Sequence, residues 1–230
     1  MFFRLKKYLY RRFYSFYYRG NDVSCLLCSW QGITFPNGRC PQCESLPRQR
    51  LIPYSVTQSN KRFYNVLHIG PNYCEYIYVK ERLKPVQYDR VDYEKNTYSN
   101  ITSDITKDEL KKDYYDLVII WHVLEHVPED KKAMYNLFNS LKIKGTLIFS
   151  VPIYPSGNKK TIEIDNVSND NYNALYGHPD HVRSCGYDYI DRFKYLGFDS
   201  IHEINVKELV DIDIKKFGLS RGHIAWLCIK

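Results

Sequence analysis

The chain changes its hydrophobic rhythm twice, and each change marks a different kind of structure. Over residues 1–19, Leu5, Leu9, Phe13 and the pair Phe16/Tyr17 recur every three or four positions, while Arg4, Lys7, Arg11 and Arg12 lean to another side. That spacing predicts an amphipathic basic helix. Residues 21–50 then carry little that could build a core. From Phe63 onward, short apolar runs alternate with amphipathic stretches. Residues 66–69 and 86–91 read as strands, and 115–121 is a continuous apolar run suited to a parallel strand buried on both faces. A helix follows over 129–142, where Ala133, Leu137 and Leu141 stand four apart, then a strand over 146–151 ended by Pro152. A helix over 187–196, stopped by Gly197, and strands over 200–206 and 223–229 complete the series.

Strand and helix alternating in this way predict an α/β fold on a doubly wound, mostly parallel sheet. Residues 153–186 break the alternation; polar and rich in Asn, they predict an insertion over the sheet edge. The expected organisation is a basic helix over 1–20, a small segment and linker over 21–60, and one α/β domain over 61–230.

Charge separates these parts further. The net charge is +7, yet residues 1–65 hold 11 Lys and Arg against 2 Asp and Glu, and the remainder is slightly acidic. Phosphate, anionic lipid or nucleic acid would meet the N-terminal end first. Residues 1–19 therefore have two readings: a helix docked on its own domain with a solvated basic edge, or a peripheral contact with a membrane or nucleic acid. No apolar stretch reaches the roughly 18 residues a spanning helix needs. Basic residues also interrupt any secretory-signal core, so the expected compartment is the cytoplasm, with any membrane contact peripheral. Thiols rather than disulfides are then the default for the seven cysteines.

Four of those cysteines are spaced with purpose: Cys25-x2-Cys28, eleven residues, then Cys40-Pro-Gln-Cys43. Two such knuckles bring four thiolates into tetrahedral reach, which predicts a closed, structural zinc site. A redox pair or an iron–sulfur cluster would draw on the same residues. A closed ligand set implies a folding role, because about thirty residues cannot build a sufficient core alone. Cys74, Cys185 and Cys228 have no partners at comparable spacing.

In an open parallel sheet, ligands bind beyond the carboxyl ends of the strands where the strand order switches. After the first strand comes His68-Ile69-Gly70-Pro71-Asn72, where Gly70 lets the backbone approach a ligand closely. Asp92 follows the second strand, an acid about 20 residues past the glycine turn and suited to ribose hydroxyls. Asp104 beside Ile105 suits an adenine amino group and its ring face.

The runs YDLVIIWHVLEHVPED at 115–130 and LFNSLKIKGTLIFSVP at 137–152 resemble the fourth strand, following loop and fifth strand of class I S-adenosylmethionine-dependent methyltransferases of the small-molecule type. The likeness extends from about residue 65 to the C-terminus. GHPDHVR at 177–183 and CPQCESLPRQR at 40–50 are similar to a subgroup with a cysteine-knuckle segment in front, which carries the resemblance over nearly the whole chain. It implies a Rossmann-like domain with S-adenosylmethionine as cofactor. Gly70 would lie along the methionine and ribose part, Asp92 would hold the ribose, and Asp104 with Ile105 would frame adenine. Trp121 and His122 would line the pocket after the fourth strand. The chain departs from the pattern in the first loop, where the family's acidic-x-Gly-x-Gly-x-Gly is reduced to a single glycine.

Methyl transfer is an in-line displacement, so alignment supplies much of the acceleration. A hydroxyl acceptor also needs a base, and His suits neutral pH. His126 or His181 is the expected catalytic base, with His178, Asp180 and Arg183 contacting a polar or anionic acceptor from the insertion. The structural alternative is a loop tied down by hydrogen bonds, with His126 packing a pocket rim. A metal pair of His122 and His126 lacks a carboxylate at suitable spacing. The function expected is methylation of a hydroxyl on a small molecule, sugar or glycan precursor. An RNA methyltransferase gripping RNA through the knuckle and basic helix is the alternative. Against it, the loop after the fourth strand has neither an Asn/Asp-Pro-Pro-aromatic motif nor a cysteine. A non-catalytic binding descendant is the third reading, motivated by the depleted glycine loop.

Overall fold

The structure, a computed structural model, describes residues 2–164 and 171–230. Residues 165–170 of the expected insertion lie outside the described residues, as do Met1 and the side chains of Arg4, Leu5 and Lys7. Helix α1 (Phe2–Tyr17) leads into a hairpin of β1 (Arg19–Ser24) and β2 (Gln31–Gly32), then α2 (Pro47–Gln58). The main domain continues through β3 (Asn65–Ile69), α3 (Tyr73–Tyr78), β4 (Gln87–Asp92), β5 (Ile101–Thr102) and β6 (Tyr115–Trp121). After it come α4 (Asp130–Ser140), β7 (Leu141–Ser150), α5 (Tyr172–Tyr176), β8 (Ser200–Asn205), α6 (Asp211–Phe217) and β9 (Ile224–Ile229).

The seven-stranded sheet has the order β5-β4-β3-β6-β7-β9-β8, with β9 antiparallel to both of its neighbours and the strands from β5 to β7 parallel. The strand order reverses between β3 and β6, so the carboxyl ends of those two strands flank the switch point. Residues on β6 alternate between two apolar layers. Leu117, Ile119 and Trp121 pack with Leu51, Ile52 and Val56 of α2, whereas Val118 and Ile120 pack with Ala133, Met134 and Leu137 of α4. A strand covered on both sides has to be apolar at every position, and this accounts for the continuous run. Asp116 is the exception: its carboxylate lies at the start of β6 and accepts the main-chain N–H groups of Tyr64 and Asn65 at 3.0 Å, pinning the entry to β3.

One expectation needs correction. Residues 187–196 form 3-10 turns rather than an α-helix, although Tyr189, Ile190 and Phe193 are buried as the spacing requires. An i, i+3 recurrence serves both helix types. The described residues of the insertion sit on the ligand side of the sheet. Ile153 bridges to Cys185, and the Val182 N–H donates to the Glu125 carbonyl at 3.0 Å, so the loop lies over the carboxyl ends of the interior strands β6 and β7.

The cysteine segment is continuous with the core. Cys25, Leu27, Trp30, Cys40 and Cys43 share one apolar cluster with Leu117 and Ile119 of β6. Fully buried Arg50 joins the parts, donating to the carbonyls of Ser45 (2.6 Å), Gly38 (2.9 Å), Phe217 (3.0 Å) and Gly218 (2.6 Å). Its guanidinium also lies over the Phe35 ring at 4.0 Å. Arg50→Met keeps much of the bulk but orphans four carbonyls, so urea unfolding should show a loss of about 3 kcal/mol or more. A loss below about 0.5 kcal/mol would mean that this guanidinium does not tie the segment to the domain.

Candidate active site

A cavity of about 490 Å³ opens at the switch point, of a size that suits a cofactor-sized ligand. Its walls come from the ends of β3 (Ile69, Gly70), β4 (Val91, Asp92) and β5 (Ser103, Asp104, Ile105), and from Val123 and His126 after β6. Gly70 holds φ at +62°, and a Cβ there would stand 2.9 Å from Val123 Cγ2, so no side chain fits without moving the wall. Asp92 accepts a hydrogen bond from Asn96 Nδ2. Asp104 accepts from the Thr106 hydroxyl at 2.6 Å and the Thr106 N–H at 2.9 Å, and pairs with Lys107 at 3.0 Å. These bonds lower its carboxyl to about 2. The single-glycine loop is braced from behind by buried Glu75. Its carboxylate accepts from Asn72 Nδ2 at 2.7 Å and Gln49 Nε2 at 3.2 Å, and stands 3.5 Å from His68.

A second cleft of about 440 Å³ is lined by Arg48, His122, Glu125, His178, His181 and His223, among others. His126 lines both spaces, so they meet at its ring. His122 directly follows β6 with φ at +54°, a conformation that costs a non-glycine residue strain. Its Nδ1 stands 3.3 Å from Glu125 Oε1, within ion-pair distance. Burial alone would push the Glu125 carboxyl up, but the His122 hydrogen bond and the nearby imidazole charge outweigh it and hold the group below its usual range. His122 Nε2, Glu125 Oε2 and His223 Nδ1 are buried with no hydrogen-bond partner among the described residues. All three belong to residues that line this one cleft.

A family model described as "Methyltransferase domain" matches residues 48–199. The chain belongs to that family. Its fold is similar to that of a SAM dependent methyltransferase from Archaeoglobus fulgidus, at TM-score 0.53 and 15% identity, covering 79% of this chain and 94% of that one. It is also similar to an S-adenosylmethionine dependent methyltransferase from Mesorhizobium loti, at TM-score 0.54 and 12% identity, covering 77% and 96%. A third relative in fold is an N-methyltransferase of Haemonchus contortus in complex with phosphomonomethylethanolamine and S-adenosylhomocysteine, at TM-score 0.53 and 13% identity, covering 77% and 51%. No curated protein matches the chain in sequence.

Within this methyltransferase, the residues singled out by sequence are only partly brought together, and His126 lines both spaces. Gly70, Asp92, Asp104 and Ile105 line the first cavity. His178 and His181 line the second cleft with His122. Trp121, His122, Asp180 and Arg183 do not stand where the sequence suggests. Trp121 is buried toward α2 and donates its Nε1–H to the Arg48 carbonyl at 3.1 Å, away from the cofactor cavity. His122 belongs to the second cleft and not to the cofactor cavity. Asp180 presents its carbonyl, 3.0 Å from His126 Nδ1, while its carboxylate is exposed and outside the cleft lining. Buried Arg183 donates to the carbonyls of Leu124, Val127 (2.8 Å) and Pro128 (3.0 Å) and pairs with Glu163, so it clamps the insertion onto the loop after β6 and cannot hold an acceptor. Glu125, Arg48 and His223 were not singled out; the Glu125–His122 spacing of three was the available signal.

The methyltransferase's four cysteines converge, with Sγ of Cys25 3.6 Å from Cys43 and Sγ of Cys28 3.6 Å from Cys40. Sulfurs on a tetrahedral zinc stand about 3.8 Å apart. The C-terminal half of α1 is docked on this segment: Arg11 donates to the Gln42 carbonyl, and Trp30 Nε1–H to the Ser15 carbonyl at 3.0 Å. Leu9, Phe13, Phe16 and Tyr17 face outward. No helix of the described residues is long and apolar enough to cross a membrane.

Burial, with the nearby His122, Arg48 and Arg50, pulls the His223 imidazole down to about 4. The unfolded chain takes up this proton near pH 6.5, so between 6.5 and about 4 it binds more protons than the folded one. The stability that His223 contributes is therefore present above pH 6.5 and lost as pH falls through that window. In urea titrations, His223→Gln should lose less stability than the wild type over that range; identical pH profiles would contradict the assignment.

Proposed function

We propose that this enzyme transfers a methyl group from S-adenosylmethionine, held in the first cavity, to a hydroxyl of a small molecule, sugar or glycan precursor in the second cleft. The observation that carries the reading is the buried Glu125–His122 pair at the wall of that cleft. The first cavity suits the donor: Gly70 leaves room for close approach, Asp92 offers a carboxylate to ribose hydroxyls, and Ile105 and Val123 are apolar walls. When bound, S-adenosylmethionine supplies an electrophilic methyl group on a sulfonium.

His122 takes the acceptor proton at Nε2, because Nδ1 is committed to Glu125. The Glu125 carboxylate fixes the tautomer and stabilises the imidazolium that forms, the part a buried acid plays in other His–carboxylate pairs. His126 and His181, the bases suggested by sequence, rest their Nδ1 atoms on the carbonyls of Asp180 and Tyr176 instead. A neutral carbonyl stabilises an imidazolium less than a carboxylate does. A base of this kind favours a hydroxyl acceptor, since an uncharged amine attacks without prior loss of a proton. The size of the cleft suits a small molecule better than RNA. The cysteine segment, on this reading, holds a structural zinc ion and fixes α2, whose Arg48 lines the cleft.

Calorimetry with S-adenosylhomocysteine tests the donor site. The wild type should bind, Asp92→Ala should bind at least about tenfold more weakly, a loss of about 1.4 kcal/mol, and His122→Gln should stay within about twofold. Absence of wild-type binding would overturn the proposal.

A further inference from the structure

We infer that His126, His178 and His181 form a second metal site, for a divalent cation of the zinc class, in the wall of the acceptor cleft. One nitrogen from each ring lies within 4.8 Å of the others, and the ring centroids are 4.7 Å (His126 to His181), 5.0 Å (His178 to His181) and 5.8 Å (His126 to His178) apart. Nitrogens on a tetrahedral zinc stand about 3.4 Å apart, so the rings need shifts of only about 1 Å to close on an ion.

The hydrogen bonds behind two of the rings are those of metal ligands. His126 Nδ1 donates to the Asp180 carbonyl and His181 Nδ1 to the Tyr176 carbonyl, each at 3.0 Å. That fixes the tautomer leaving the Nε2 lone pair free, as second-shell carbonyls do for coordinating histidines. His178 is the ligand that turns: half exposed, it accepts the Asp180 N–H at 3.2 Å and stands 3.7 Å from the Asp180 carboxylate. Behind the set lies the buried Glu125 carboxylate, 4.0 Å from His126 Nε2, with its second oxygen unpartnered among the described residues. A negative charge there favours a cation.

Three imidazoles are a catalytic rather than a structural ligand set, since they leave a coordination position open. All three rings line the acceptor cleft. An oxygen ligand occupying the open position would stand beside His122, so the cation would recognise an oxygen-bearing acceptor. This last step rests on the proposed acceptor site; metal occupancy does not.

The test is zinc binding by the full chain with its cysteine-held metal in place. Titration with ZnCl₂ followed by calorimetry should reveal one further equivalent beyond the metal found by elemental analysis after dialysis. His126→Ala and His178→Ala, both at partly exposed positions, should each weaken that binding at least about tenfold while leaving the dialysis-stable metal unchanged. No further equivalent, or binding in either variant as tight as in the wild type, would overturn the assignment. S-adenosylhomocysteine binding measured on the same samples separates this outcome from a failure of the methyl-transfer reading.

Discussion

The arrangement depends on one constraint, the parallel pairing of β6 between β3 and β7. Val66 aligns with Leu117 on one side of it, and Leu117 with Thr146 on the other. With all three strands running the same way, the loops after β3, β6 and β7 emerge on one rim. Both faces of β6 are covered, so its register cannot slip without exposing an apolar layer. The cofactor cavity forms where the chain leaves β3 and β6, and the insertion after β7 has to cross the same rim. The second cleft is the space left under that crossing.

Two buried acidic residues then organise the rim. Asp130 accepts from Tyr189 and Arg192 at 2.8 Å and stands 3.7 Å from Arg183, joining the start of α4 to the insertion and to the 187–196 turns. Glu125 does the same work on the inner side, holding His122 in its strained conformation at the end of β6. The cysteine segment reaches this rim through α2, where the Arg48 carbonyl meets Trp121 and Arg50 ties the segment to α6. A change at the cysteines therefore reaches the cleft through packed groups rather than at a distance.

The parts of this that sequence could reveal are those with a short repeat or a fixed spacing. The apolar run of β6, the paired cysteine knuckles and the residues at strand ends all belong to that class; Gly70, Asp92, Asp104 and Ile105 line the cavity because strand ends on one rim face one space. Trp121 and His122 were separated by something spacing does not encode. Trp121 follows the strand alternation toward α2, and the positive φ of His122 then breaks that alternation. Arg183 looked like a ligand-holding cation because most of its acceptors are main-chain carbonyls, which no side-chain pattern reports. The acceptors of Arg50 are likewise main-chain carbonyls. The three-imidazole cluster joins residues 52 and 55 positions apart, and only the closure of the insertion over β6 brings them together.

The central claim is that the Glu125–His122 pair serves methyl transfer to a small acceptor. Transfer of labelled methyl from S-adenosylmethionine into fractionated cell extract, by the wild type and by His122→Gln at matched S-adenosylhomocysteine binding, addresses it most directly. Label should enter the small-molecule fraction and fall by about a hundredfold or more in the variant, the range expected for loss of a general base. Label entering RNA instead, or undiminished transfer by His122→Gln, would contradict the account.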